Sequence, residues 1–135
     1  MNYWLMKSEP GAYSWDDLVK DKRTHWDGVR NYQARNNMKA MRLDDLVLYY
    51  HSVNDKCCVG IAKVVKEFYQ DPTTDDERWV VVDIEPLERF KKVVTLADIK
   101  GDDRLSNMVL VNNSRLSVQP VKKEEFDLIV AKGND

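Results

Sequence analysis

The chain has 135 residues, one domain's worth of sequence with no room for a second core. Hydrophobic residues at 43% and charged residues at 33%, with five Gly and four Pro, exclude a disordered or fibrous chain. They allow about two-thirds of the unfolded surface to be buried. A formal net charge of −2 excludes a uniformly basic coat that grips any polyanion, so any contact with nucleic acid has to be local.

Tyr3 to Met6 reads as a strand closed by Pro10 and Gly11. It reaches Lys7 and Glu9 too soon for a signal-peptide core, and no apolar run approaches the ~18 residues of a membrane span. Ser14 and Asp17 have capping-box spacing and open a short helix carrying Trp15, Leu18 and Val19. The stretch from Lys20 to Arg30 is polar. Asn31 is a helix N-cap, followed by Ala34, Met38 and Met41 on one face. Leu46 to Tyr50 and Cys57 to Tyr69 form an antiparallel pair joined through Asn54-Asp55, and Gly60 marks a bulge or a close approach to the backbone. Trp79 to Ile84 is a further strand, with Trp79 in the core like Trp4, and Pro86 implies an edge or an irregular end. A one-turn helix over Thr95 to Lys100 stops at Gly101. Two apolar runs, Met108 to Val111 and Leu116 to Val121, flank a turn, and Phe126, Ile129 and Val130 share a face of a C-terminal helix. About six strands and four short helices by this count give an α+β domain, residues 1–135, whose sheet curls into a small barrel with helices outside.

The two cysteines, Cys57 and Cys58, are adjacent. Neighbours on an extended chain point to opposite faces, which excludes a normal disulfide. There is no zinc-ligand spacing, Gly-rich phosphate loop or Walker motif, so neither metal nor cofactor is expected. A reducing compartment follows, cytoplasmic, or nuclear in a eukaryote.

Charge is unevenly placed. Lys20 to Arg42 carries seven basic and two acidic residues, whereas Asp71 to Arg89 carries seven acidic and two basic. This pattern predicts an electrostatically two-sided molecule whose basic side docks on phosphates through Arg30, Arg35 and Lys39, unless these are a solvated helix face. Trp26 sits inside the basic stretch, flanked by His25, Asp27 and Gly28. Its ring can stack on an extruded base or anchor the loop to the core. Asn31 can cap the helix or read a base edge.

Three segments together closely resemble the EVE domain family: Lys7-Ser8-Glu9-Pro10, the run Trp26-Asp27-Gly28-Val29-Arg30-Asn31-Tyr32-Gln33-Ala34-Arg35-Asn36, and Leu46-Val47-Leu48-Tyr49-Tyr50-His51-Ser52. The likeness continues through Val59-Gly60-Ile61-Ala62 and the run from Arg115 to Val121. It implies a PUA-like curved mixed barrel and a monomeric reader of nucleic acid carrying a modified base, with modified cytosine as the ligand. It also implies one pocket walled by Lys7, Ser8, Glu9, Trp26, Val29, Asn31, His51 and Ser52. Arg115 joins the phosphate contacts from the turn beside it, and Trp26 matches an aromatic position of the related YTH cage. The chain departs from the family at Asp44, where many members have Gly, and in shorter loops around Asn54 and Thr73.

Two other function classes stay open. Some ASCH proteins of related fold are amidohydrolases that use Lys, Thr and Glu, so a small hydrolase would need Lys7 and Glu9 to converge on a ligand. Strand alternation sets Ser8 opposite both, and neither His25 nor His51 belongs to a recognisable triad, so no catalytic residue is assigned. A protein-interaction module would need a large exposed apolar patch.

Overall fold

A computed structural model describes residues 1–53 and 55–135; the Asn54 part of the expected Asn54-Asp55 turn lies outside them. Six strands form one mixed sheet: β1 (Tyr3–Ser8), β2 (Thr24–His25), β3 (Leu46–His51), β4 (Cys57–Gln70), β5 (Val80–Thr95) and β6 (Val118–Val121). Five short helices join them: α1 (Trp15–Asp21), α2 (Tyr32–Ala40), α3 (Leu96–Lys100), α4 (Val109–Asn112) and α5 (Lys123–Gly133), with a 3₁₀ turn at Asp103–Leu105. The strand order is β2-β5-β4-β3-β1-β6. The sheet is therefore curved without closing, and β2 and β6 are its edges. The α+β, PUA-like architecture holds in that open form.

Apolar alternation sends side chains to both faces of the sheet. Trp4, Met6, Val47 and Tyr49 face Trp15 and Leu18 of α1, and Ala34 and Met38 of α2. Leu5, Leu48 and Tyr50 face the opposite core with Ile99 of α3, Phe126 and Ile129 of α5. Burial on both faces explains why β1 and β3 read as continuous apolar runs. The cysteines obey the same rule, with buried Cys57 in one cluster and Cys58 in the other, both free. β1 runs parallel to β3, pairing Tyr3 with Leu46 and Ser8 with His51.

Local signals work as the sequence implies. Ser14 and Asp17 form the capping box of α1, and the Asn31 side chain accepts the Ala34 N–H to cap α2. Gly60 lies at a register shift, and a Cβ there would come within 2.6 Å of the Glu88 carbonyl and 2.9 Å of the Trp15 ring. Asp44 takes the left-handed conformation with φ 70°, which Gly adopts freely and Asp tolerates.

Two expectations need correction, and one short strand goes unread in the sequence. The strand beginning near residue 79 does not end at Pro86: β5 runs on to Thr95. Its neighbour β2 reaches only as far as Ile84, so Pro86 sits where one side of β5 is an edge and its missing N–H is not required. Met108 to Val111 does not extend as a strand, and α4 forms over Val109–Asn112 instead. Two-residue β2 carries no apolar pattern and was invisible within the polar stretch.

Candidate functional site

A cavity of about 630 Å³ opens where the end of β1, the turn after it and the β2–α2 loop converge. The turn is drawn onto β1 by the Ser8 hydroxyl, which donates to the Tyr13 carbonyl at 2.5 Å, and by the Tyr49 hydroxyl, which reaches the same carbonyl at 3.0 Å. The first N–H of α1, on Trp15, donates to His51 Nε2 at 3.0 Å. Ser117 closes the cavity beside β1, its carbonyl accepting the Lys7 N–H.

The opposite wall is the loop from Trp26 to Arg30, which has no regular structure and is held by one carboxylate. Asp71 Oδ2 accepts the Gly28 N–H and the Arg30 Nη1 group, each at 3.0 Å. Its Oδ1 accepts the Thr73 N–H at 2.8 Å and the Thr73 hydroxyl at 2.6 Å. The side chain is fully buried. Burial works to raise its pKa, and the hydrogen bonds from Thr73, Gly28 and Arg30 overcome it, bringing the carboxyl down to about 2. Gly28 takes φ 77°, a conformation that favours Gly and lets the loop turn toward Asp71.

Trp26 anchors the loop to the core and also reaches the cavity. It is 9% exposed and belongs to the core, its ring edge-to-face with Tyr49 at 5.6 Å, yet it also forms part of the cavity wall. Its backbone N–H is fixed by the Val82 carbonyl at 2.9 Å. The indole is thus held by a ring contact on one side and its backbone by the sheet on the other.

Of the residues expected in one pocket, Lys7, Ser8, Glu9, Trp26 and Val29 line this cavity, and Arg30 joins them. Asn31 does not, because its side-chain oxygen is engaged by the Ala34 N–H. His51 lies on a separate cavity of about 580 Å³ with Cys57 and Arg89. Ser52 contributes a backbone N–H to the Ser8 carbonyl and is absent from both linings. Strand pairing explains the shift: β3 ends level with Ser8, so His51 supports the wall from behind. Lining residues beyond the expected set include Tyr13, Thr24, His25, Asp27 and Ser117.

Lys7 Nζ donates to the Ser114 carbonyl at 2.5 Å and stands 5.8 Å from the Tyr50 ring centre. Burial, and then the charge on Lys56, lower its pKa. Ser8 donates to a carbonyl rather than to a base, and no ion pair joins Lys7 to Glu9 among the described residues. No group of three or more His, Cys, Asp or Glu able to hold a metal occurs among the described residues. Among the described residues no helix is long and apolar enough to cross a membrane.

Folding brings the basic and acidic segments into contact at two ion pairs, Arg23 with Asp83 at 2.8 Å and Arg30 with Asp71 at 3.0 Å. Arg35 packs over Tyr32, Lys39 stands 5.4 Å from the Phe68 ring, and Arg115 is exposed on the turn before β6. None of the three lines the cavity. Trp79 is also misplaced by the sequence pattern. It precedes β5, is only half-buried, and stacks on Tyr32.

A family model described as the EVE domain matches residues 2–132. The chain belongs to the EVE domain family. Mouse thymocyte nuclear protein 1 is 38% identical over 164 aligned positions, covering 96% of this chain and 73% of that protein. An NMR structure from Rhodopseudomonas palustris is 46% identical, with a TM-score of 0.94 over 98% of this chain and 93% of its own. The human THYN1 protein, solved in complex with DNA containing 5-methylcytosine, is 35% identical, with a TM-score of 0.91 over 100% of this chain and 99% of its own. The EVE fold thus accounts for the curved sheet.

Proposed function

We propose that this EVE domain is a nucleic-acid reader that takes a flipped modified base, a modified cytosine, into the Trp26 cavity and leaves it chemically unchanged. The observation that carries the reading is the braced indole on the wall of an open cavity whose other side supplies hydroxyl, carboxylate and backbone groups. A flipped base needs a π platform and hydrogen-bonding groups for its polar edge. Trp26 is the platform, and Ser8, Glu9 and the backbone around Val29 and Ser117 face the edge. The complex of the human relative with 5-methylcytosine DNA supports the same ligand class. Arg35, Lys39 and Arg115, with the exposed part of Arg30, serve the flanking phosphates.

The hydrolase alternative needs an activated nucleophile and a base, whereas Ser8 and Lys7 both donate to backbone carbonyls. Binding of DNA strands with and without 5-methylcytosine, at one stated salt concentration, tests the reader. Trp26→Ala is expected to abolish discrimination and to leave a residual, salt-sensitive affinity. Equal discrimination in parent and variant would remove Trp26 from the site. A chemically altered base that depends on Lys7 or Glu9 would move the assignment to a hydrolase.

A further inference from the structure

Beside the cavity the surface carries two aromatic rings that no core requires. Tyr32, at the first turn of α2, is 51% exposed, and Trp79 is half-buried just ahead of β5. Their ring centres are 5.1 Å apart with planes 34° from parallel, and neither belongs to a core cluster. Cations surround them. The Arg30 and Arg78 guanidinium groups stand 5.6 and 5.9 Å from the Trp79 ring, and that of Arg35 stands 5.0 Å from Tyr32. Arg78 also donates to the Tyr32 hydroxyl at 3.1 Å, which fixes the ring from its rim.

Arg30 joins this ledge to the cavity, because the same side chain lines the cavity and packs on Trp79. Two of the cations are already neutralised, Arg30 by Asp71 and Arg78 by Asp76. Arg35 donates only to the Asn36 side-chain oxygen and the Arg78 carbonyl, and makes no ion pair among the described residues. The ledge therefore offers the exposed part of the Tyr32 ring, backed by Trp79, first and one guanidinium without an ion pair among the described residues second. A single-stranded nucleic acid asks for that combination, since bases stack on aromatic rings while cations track the backbone.

We propose that Tyr32 and Trp79 form a second nucleotide subsite, stacking the unpaired base next to the one taken into the Trp26 cavity, with Arg35 available to its phosphate. The subsite rests on the reader function above. Its contribution comes mainly from stacking, so it is insensitive to salt, in contrast to that of Arg35.

The test uses single-stranded DNA carrying one 5-methylcytosine, with the neighbouring nucleotide on either side present as a base or as an abasic site. The parent protein is expected to bind about tenfold more weakly when the neighbour on one side is abasic. Tyr32→Ala is expected to erase that difference and to keep both the preference for the methylated strand and the salt slope. Trp79→Ala should act in the same way. Tyr32 is the more decisive position because its exposed side chain can be removed without opening a core. Arg35→Gln should instead reduce the salt slope by about one counterion. A tenfold difference retained in Tyr32→Ala, or no difference in the parent for either side, would overturn the subsite and turn the ledge toward a protein partner. Absence of any methylation preference in the parent would overturn the reader reading and the subsite with it, and is told apart by the ratio that fails.

Discussion

The two walls of the Trp26 cavity do the same work by different means. On one side an irregular loop is pinned by Asp71, a buried carboxylate 43 residues from the Gly28 N–H that it accepts. On the other, the turn into α1 is pinned by Ser8, Tyr49 and His51, the last through an imidazole nitrogen that accepts the Trp15 N–H. Each wall relies on side chains from other strands and loops, and each has one titratable acceptor among them, Asp71 on the first and His51 on the second. The contrast lies in what protonation does to them. A carboxylate with pKa near 2 stays an acceptor through the physiological range, whereas an imidazole is an acceptor only while neutral.

The largest effect should come from removing the carboxylate. Asp71→Ala leaves the Gly28 and Thr73 N–H groups without their acceptor and Arg30 without its counter-charge. Buried unpaired donors and broken charge pairs of this kind cost about 3 kcal/mol. Chemical denaturation should register that loss, and discrimination between methylated and unmethylated strands should fall with it. Asp71→Asn keeps an acceptor oxygen and is expected to lose less. If Asp71→Ala stays within about 0.5 kcal/mol of the parent, as an ordinary surface substitution does, the two walls do not differ in the way described.

Asp71 also marks the limit of what the sequence shows. Signals carried within a few residues of chain are legible: the Ser14–Asp17 box, the Asn31 cap, the apolar run of β3 and the isolation of Trp26 in a polar stretch. Asp71 reads only as one acid in an acidic run. Its short-range bond to the Thr73 N–H is the sort of Asx turn that Asp-Pro-Thr can announce, but nothing local points to Gly28. Trp79 was misplaced because Val80, Val81 and Val82 follow it, so it reads as the first residue of a core strand, when the strand begins after it. His51 and Ser52 sit in a motif characteristic of the family, and only the pairing of β1 with β3 shows that they lie behind the wall. Asn31 presented two uses of one amide, and the helix N-terminus took it.

A smaller test stays on the loop wall. Gly28 has φ 77° and open space where a Cβ would be, so the effect of Gly28→Ala is conformational and not steric. Left-handed backbone costs an alanine about 1 kcal/mol or slightly more, and Gly28→Asn should lose less because Asn tolerates that region. Thermal melts give the order expected: parent, then Asn, then Ala. An Ala variant as stable as the parent would show that the loop relaxes to another conformation, and the backbone N–H at position 28 would then no longer be held by Asp71.

The smallest effect separates the walls by pH. Burial lowers the His51 pKa, Asp16 opposes that shift, and Arg89 adds to it. The unfolded chain therefore binds a proton at His51 at a higher pH than the folded one does, and stability rises with pH across that interval. The contribution is complete above about 6.5, the ordinary value for histidine, and is lost as the pH falls below it through the folded value. Protonation removes the acceptor from the Trp15 N–H, a loss of about 1 kcal/mol for one hydrogen bond. Melts between pH 7.5 and 5.5 should show this slope in the parent and lack it in His51→Gln, which cannot titrate. His25 is present in both proteins, so the difference between their slopes belongs to His51. Asp71, depressed to about 2, holds the loop wall unchanged through the same interval; its contribution to stability declines only as the pH falls below about 4, where an unfolded carboxyl protonates, and is lost through the folded value. Identical slopes in parent and His51→Gln would mean that the helix wall does not depend on the imidazole, and the two walls would then respond to pH alike.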